Sequence, residues 1–251
     1  MSSSIWTRCA GDSEIRPLHN SPWRVVEAQH QVSTRKLVDS AEEQALLEDL
    51  IDRVKPPDAT GGRLHYLLFT PFRYPPLAHG SRFGGRHERG IWYGSVERRS
   101  AFAEVAYYRL LFLEGTQASL GTVTTALTAF TARVRTLRGV DLVAPPFDAY
   151  RRAIASPTSY ASSQALGAAM RGAGVEAFRY PSARDTGGGV NVGVFVASVF
   201  GNTKPKSLET WHCSATRERV EITQGDYFKR DRFAFPRAQF LVKGILPAPA
   251  I

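Results

Sequence analysis

Residues 80–107 read GSRFGGRHERGIWYGSVERRSAFAEVAY, and no other stretch of the chain indicates its fold and its site so strongly. The stretch places Arg82 in a glycine-rich turn, Tyr93 in a short aromatic strand and Glu104 among apolar helix residues. Gly84 belongs to the same turn, where a residue without a Cβ lets the backbone approach a ligand closely. One turn, one strand and one helix therefore carry an arginine, a tyrosine and a carboxylate.

A second motif, YPSARD at residues 180–185, places Ser182 at the end of a predicted strand. An arginine binds phosphate in a bidentate manner, and a tyrosine offers both a flat face and a hydroxyl group. A carboxylate such as Glu104 can stabilise a sugar cation, as in glycoside hydrolysis. Taken singly, each of these residues could equally be an ordinary loop, strand or helix residue.

The order Arg82, Glu104, Ser182 resembles the RES domain, a family named for its Arg, Glu and Ser. The segments WRVVEAQHQVSTRKLVDSAEEQ (23–44) and LHYLLFTPFRYPPLAHGSRFG (64–84) are similar to those of the longer members. In many shorter members a tryptophan follows the arginine, whereas a phenylalanine follows it here.

The resemblance covers roughly residues 20–215. It implies a fold like that of ADP-ribosyltransferases and the activity of a bacterial toxin that attacks NAD, paired with an Xre-type antitoxin. NAD would be the substrate, and no cofactor is expected. The implied catalytic residues are Glu104, Arg82 and Ser182. The expected substrate-binding residues are Arg82, Tyr93, Ser182 and Gly84, of which Tyr93 and Gly84 are inferred from their own chemistry.

The resemblance leaves the acceptor of ADP-ribose open among water, phosphate and a protein, so a protein ADP-ribosyltransferase is an alternative. A nucleic-acid-binding protein is another, because the net charge is +9. Residues 61–100 carry seven arginines and two acidic residues. Such a segment can attract an anionic ligand or simply be a solvated face. Its arginines lack the interleaved aromatic pattern of a nucleic-acid-binding strand, and nucleic acid is expected only through the antitoxin.

Composition narrows the class of protein further. The chain is 43% hydrophobic, which is enough for a core. No apolar run reaches the ~18 residues of a membrane span, and no secretory signal is recognisable. Two cysteines do not make a disulfide framework, and the scattered histidines indicate no metal site. We therefore expect a cytoplasmic protein without a membrane partner.

Periodicity predicts an α+β fold with a mixed central β-sheet flanked by helices. One helix begins at the capping box Ser40-x-x-Glu43. Others are expected over residues 100–114, with Ser100 as N-cap, and 159–171. Strands are expected over residues 64–70, 91–94, 129–137, 176–180, 190–200, 208–214, 219–223 and 238–242.

The expected division of the chain has two parts. Residues 1–60 would be an N-terminal extension with one amphipathic helix, its first 20 residues frayed. Residues 61–251 would be the catalytic domain that resembles the RES domain.

Overall fold

A computed structural model describes residues 4–28, 38–54, 56, 62–74, 76, 78–225 and 231–249. Within these residues, ten strands form one sheet in the order β1-β5-β6-β7-β3-β2-β4-β8-β9-β10. The strands are β1 (Arg16–Asn20), β2 (Trp23–Glu27), β3 (Trp92–Ser95), β4 (Val123–Thr131), β5 (Val134–Asp141), β6 (Ala177–Pro181), β7 (Val190–Val194), β8 (Lys206–Ala215), β9 (Arg219–Gln224) and β10 (Arg232–Pro236).

The pairing of β5 with β6 is parallel, and the other pairings are antiparallel. The helices of the described part are α1 (Ile5–Arg8), α2 (Ala41–Val54), α3 (Tyr66–Arg73), α4 (Arg98–Glu114), α5 (Arg151–Ile154) and α6 (Ala161–Gly172). A mixed sheet with helices packed against it confirms the predicted α+β class.

Three clusters of buried side chains hold helices α3, α4 and α6 on the sheet. Helix α4 packs on β8 through Phe102, whose ring centroid lies 4.7 Å from that of Trp211. Helix α6 shares a second cluster with Phe178 of β6, and α3 shares a third with Trp92 of β3. Because Trp92 and its neighbour Tyr93 point to opposite faces, α3 and α6 cover opposite sides of the sheet.

The predicted strand over residues 64–70 is wrong, because the structure has helix α3 there. His65 caps this helix by accepting a hydrogen bond from the amide of Leu67 at 3.3 Å. Periodicity does not distinguish a strand from a buried helix in so short an apolar run. The helix is stabilised by the packing of Leu67 and Leu68 against the sheet.

Two strand predictions have wrong boundaries, and a third is wrong altogether. Residues 129–131 belong to β4 and residues 134–137 belong to β5, with residues 132 and 133 between the two strands. The strand predicted over 190–200 ends at Val194 and is followed by a short 3₁₀ turn. Residues 237–240 also form a 3₁₀ turn, so the edge strand is β10 and not 238–242.

The expectation that residues 1–20 are frayed is also wrong for the described residues 4–20, while residues 1–3 lie outside the described part. Trp6 of α1 is buried against Phe147, and β1 pairs with β5 at one edge of the sheet. The proposed division after residue 60 stays a prediction. Strand β2 precedes that boundary, yet it lies between β3 and β4 in the sheet.

Two features of this fold position the site. Strands β2 and β3 pair at one position, Trp23 with Ser95, and part beyond it. Helix α4 begins at Arg98 rather than at a capping Ser100. Instead, the Ser100 hydroxyl donates to Oδ2 of Asp185 at 2.6 Å. That bond ties the first turn of α4 to the loop after β6.

We predict that Gly167→Ala destabilises the protein by about 1–3 kcal/mol, the usual cost of overpacking. A Cβ at Gly167 of α6 would lie 2.0 Å from the carbonyl oxygen of Phe83, in the turn that carries Arg82. Urea denaturation measures the effect.

Gly172→Ala, in the same helix, is the matched control, because a Cβ there meets nothing within 4 Å. It should leave stability unchanged or raise it by up to ~1 kcal/mol. Equal stability of the two variants would contradict the close packing of α6 on the Arg82 turn.

Candidate active site

A cavity of about 540 Å³ opens where β2 and β3 part. Its volume falls in the range of small-molecule sites. The wall is formed by one face of α4, by both parted strands and by the turn before β3. Polar and aromatic side chains in the wall are Trp23, Arg24, Glu27, His79, Ser81, Arg82, Tyr93, Ser95, Glu104, Tyr108, Arg109, Phe112, Tyr160, Tyr180 and Asn191.

Glu104 faces this cavity from α4. Its Oε1 accepts one hydrogen bond from the Ser182 hydroxyl at 3.2 Å and one from Nδ2 of Asn191 at 2.9 Å. Its Oε2 has no hydrogen-bond partner among the residues that the structure describes. One carboxylate oxygen is therefore fixed by the protein, and the other remains for a ligand.

Both donors are themselves held in place. The Ser182 oxygen accepts from the amides of Arg184 and Asp185, each at 3.1 Å, so its proton is directed to Glu104. The Asn191 side chain accepts a hydrogen bond from the hydroxyl of Ser95 at 2.7 Å. This second contact orients the Asn191 amide group, so that its NH₂ faces the carboxylate.

Arg82 lines the cavity and is 8% exposed. Its Nη1 donates to the carbonyl oxygen of Ser156 at 2.9 Å, and its guanidinium lies 4.6 Å from the ring centroid of Tyr160. In the described part of the chain, no carboxylate lies within ion-pair distance of it. Arg82 is therefore a mostly buried cation with carbonyl and aromatic partners, and an anionic ligand could neutralise it.

The turn around Arg82 depends on glycine. Gly80 has φ +75°, and a Cβ there would lie 2.3 Å from the carbonyl oxygen of Gly84. The same carbonyl accepts from the amide of Ser81 at 2.7 Å and closes the turn. Gly84 shapes the turn without lining the cavity wall. A direct contact of Gly84 with substrate stays a prediction.

Tyr93 joins the cavity wall to the Arg82 turn. Its hydroxyl is hydrogen-bonded to that of Ser81 at 2.9 Å and accepts from the amide of Phe83 at 3.2 Å. Burial raises the pKa of Tyr93 to about 12, so the hydroxyl stays protonated at neutral pH. The structure thus brings Arg82, Tyr93 and Glu104 into one cavity, with Ser182 directly behind Glu104.

Sequence reasoning missed several side chains of the site. Tyr108 and Phe112 follow Glu104 at intervals of four residues, and this spacing could have placed all three on one helix face. Both aromatic side chains are more than half exposed. Arg24 and Asn191 reach the site only through strand pairing, for which the sequence carries no local signal.

Of the arginines within residues 82–99, only Arg82 lines the cavity wall in the part of the chain that the structure describes. Arg98 pairs with Glu209 at 3.3 Å, and Arg99 lies 3.8 Å from Asp185. The cations that join Arg82 in the wall come instead from β2 and from farther along α4.

The described residues contain no group of three or more His, Cys, Asp or Glu side chains that could hold a metal ion. None of their helices has the length and apolar character needed to cross a membrane.

Comparison with known proteins gives one family match. A family model described as the RES domain matches residues 50–215. A search of curated protein sequences finds no match. A chain of a solved structure, described as the crystal structure of the M. tuberculosis MbcT–MbcA toxin–antitoxin complex, is similar with 14% sequence identity and a TM-score of 0.48. The similarity covers 86% of this chain and 94% of that chain.

We predict that Tyr93→Phe lowers the free energy of unfolding at neutral pH by about 1 kcal/mol, the net value of a typical hydrogen bond. The variant leaves Ser81 and the amide of Phe83 without their shared partner. Because folding raises the pKa of Tyr93, wild-type protein should lose stability as the pH rises from about 10 to about 12, where the unfolded chain deprotonates first.

The phenylalanine variant lacks this titration. The stability difference between the two proteins should therefore shrink across that pH window. Denaturant titrations on both sides of pH ~10 measure it. A difference that stays constant, or grows with pH, would show that the Tyr93 hydroxyl is not buried in the turn.

Proposed function

The chain belongs to the RES domain family, and on this premise we propose that it is an NAD-cleaving enzyme and the toxin of a toxin–antitoxin pair. The observation that carries the proposal is the geometry of Glu104. Two side-chain donors fix its Oε1, while the carboxylate faces the cavity. Arg82 lines the same cavity and has no carboxylate partner among the described residues.

The proposed reaction breaks the bond between the nicotinamide nitrogen and C1′ of its ribose. Nicotinamide leaves as a neutral molecule with the bonding electron pair, and C1′ becomes an oxocarbenium-like centre. A carboxylate beside that centre stabilises the positive charge as it develops. Water then adds to C1′ and releases a proton, so the products are nicotinamide, ADP-ribose and H⁺. Phosphate in place of water would give ADP-ribose phosphate.

The other site residues have supporting roles in this scheme. Arg82 neutralises a phosphate or contacts the nicotinamide ribose, and a guanidinium is suited to both through its fork of N–H donors. Tyr93 holds the Arg82 turn and presents its ring to the ligand. Ser182 and Asn191 orient the carboxylate before substrate arrives, so little reorganisation is needed during the reaction.

The test is nicotinamide release from NAD by the purified protein, with and without phosphate and with EDTA. We expect release that EDTA does not abolish. Glu104→Gln should lower turnover by roughly 10²-fold or more, the scale of one preorganised electrostatic group, and should still bind NAD.

Glu114→Gln is the matched control. Glu114 lies at the end of the same helix, where it pairs with Arg237 at 2.8 Å outside the cavity. This control should turn over NAD like wild type. Turnover by Glu104→Gln within a fewfold of wild type would remove Glu104 from the reaction.

An antitoxin partner is part of the proposal. An enzyme that consumes NAD would poison the cell that makes it, so a cognate inhibitor must block the cavity. The family resemblance implies an Xre-type antitoxin that binds DNA, and nucleic acid would then be contacted only through that protein. The acceptor of ADP-ribose in this proposal is water, phosphate or a protein.

We predict that expression of this chain alone halts bacterial growth and lowers cellular NAD. Glu104→Ala should relieve both effects, whereas Glu114→Ala should remain toxic at equal expression. Cell density and total NAD are the measurements. The toxin role would be contradicted if high-level expression of enzymatically active wild-type protein were harmless and left cellular NAD unchanged. The enzymatic activity would still stand.

A further inference from the structure

The cavity continues beyond Glu104 along helix α4. The wall of this outer part is formed from the helix by Val105, Tyr108, Arg109 and Phe112, and from β2 and β4 by Val25, Glu27 and Leu127. Val25 and Leu127 pack in the same cluster of buried side chains as α4, and Glu27 lies directly opposite Leu127 in the sheet. These strand residues and the helix therefore share one side of the sheet.

An ion pair joins the two walls of the outer part. Arg109 of α4 donates to Oε1 of Glu27 at the end of β2. The charges of both side chains are thereby balanced within the protein. What the outer part offers a ligand beyond this pair is apolar and aromatic surface.

Two aromatic side chains supply most of that surface. Tyr108 is 54% exposed and Phe112 is 56% exposed, and a spacing of four residues places them one turn apart on the same face of α4. Burial raises the pKa of Tyr108 well above its usual value, and the nearby Tyr160 and Glu104 raise it further. The Tyr108 hydroxyl therefore lies inside the cavity while its ring remains open to a ligand. Exposed aromatic side chains beside a cavity mark a binding surface.

The length of the outer part sets the kind of ligand that fills it. Phe112 follows Glu104 by eight residues, which corresponds to roughly 12 Å along the helix. A ribose at Glu104 with its own phosphate does not reach that far. The second nucleotide of a dinucleotide does, and its base has a flat face that stacks on aromatic side chains.

We propose that Tyr108 and Phe112 bind the adenine base of a dinucleotide whose other ribose lies at Glu104. The proposal rests on the proposed function, which places the nicotinamide ribose at that carboxylate. The stacked base then gives the enzyme its preference for a dinucleotide over nicotinamide mononucleotide, because only the dinucleotide reaches both ends of the cavity.

The experiment is calorimetric titration of ADP-ribose into wild type, Phe112→Ala, Phe112→Leu and Phe112→Tyr. We expect Phe112→Ala and Phe112→Leu to bind ADP-ribose about 5- to 150-fold more weakly, the range for the loss of one base–aromatic stack. Phe112→Tyr keeps the ring face and should bind within a fewfold of wild type.

Tyr66→Ala is the matched control. Tyr66 is also an exposed aromatic residue of a helix, 43% exposed on α3, and it lies outside the cavity wall. Its variant should bind ADP-ribose like wild type. Nicotinamide mononucleotide, which has no adenine, is titrated in the Glu104→Gln background to prevent turnover, and there Phe112→Ala should weaken its binding far less than that of ADP-ribose.

Three results would overturn the adenine site. The first is equal ADP-ribose affinity of wild type and Phe112→Ala, which would leave the two rings as a contact surface for a protein. The second is the absence of ADP-ribose binding by wild type. The third is an equal loss of affinity for nicotinamide mononucleotide, which would place Phe112 at the reacting end. If Phe112→Ala fails to fold, Phe112→Leu decides in the same way, because it keeps an apolar helix residue without a ring.

These outcomes also separate this site from the proposed activity. ADP-ribose binding that depends on Phe112, in a protein that does not cleave NAD, would keep the adenine site and remove the activity. NAD cleavage with ADP-ribose binding independent of Phe112 would remove the site and keep the activity.

Discussion

The two hydrogen bonds that Glu104 accepts through Oε1 join three separate parts of the chain. Glu104 lies on α4, Ser182 follows β6, and Asn191 belongs to β7. A carboxylate that leaves bulk water needs donors, and here they come from strand ends that pair with each other. The sheet, the helix and the cavity must therefore be assembled together before the carboxylate can face a ligand in a fixed orientation.

The start of α4 enforces this arrangement. Asp185 accepts from Ser100 at 2.6 Å and from the amide of Gly187 at 3.0 Å, and it also lies near Arg99. A Cβ at Gly189 would come within 2.0 Å of the Ser100 oxygen, so the loop can approach the helix only because that residue is glycine. The loop that delivers Ser182 to Glu104 is thus fastened to the same helix one turn earlier.

Much of the site could be predicted from the sequence, but through the resemblance to the RES domain rather than through local patterns. Local patterns placed Arg82 in a glycine-rich turn, Glu104 in a helix and Ser182 at a strand end, and only the resemblance of their order joined the three in one hypothesis. The structure brings these three residues together. Arg24 and Asn191 escaped notice because their positions depend on which strands pair, and their hydrogen bonds to residues 69 and 87 positions away leave no periodic trace.

The fold shows the same limit. The α+β class follows from the mixture of elements, but residues 64–70 formed a helix because of tertiary packing that a short apolar run does not encode. Local sequence patterns also could not predict that β2 lies between β3 and β4 in the sheet. Net charge says as little about the site, since Arg98 pairs with Glu209 and Arg99 lies near Asp185, and neither lines the cavity.

The most direct test of the central claim is a crystal structure of the Glu104→Gln protein with NAD bound. The account predicts that NAD occupies the cavity, with C1′ of the nicotinamide ribose against residue 104 and the diphosphate at Arg82. NAD bound elsewhere on the protein, or bound in the cavity with that ribose turned away from residue 104, would contradict it.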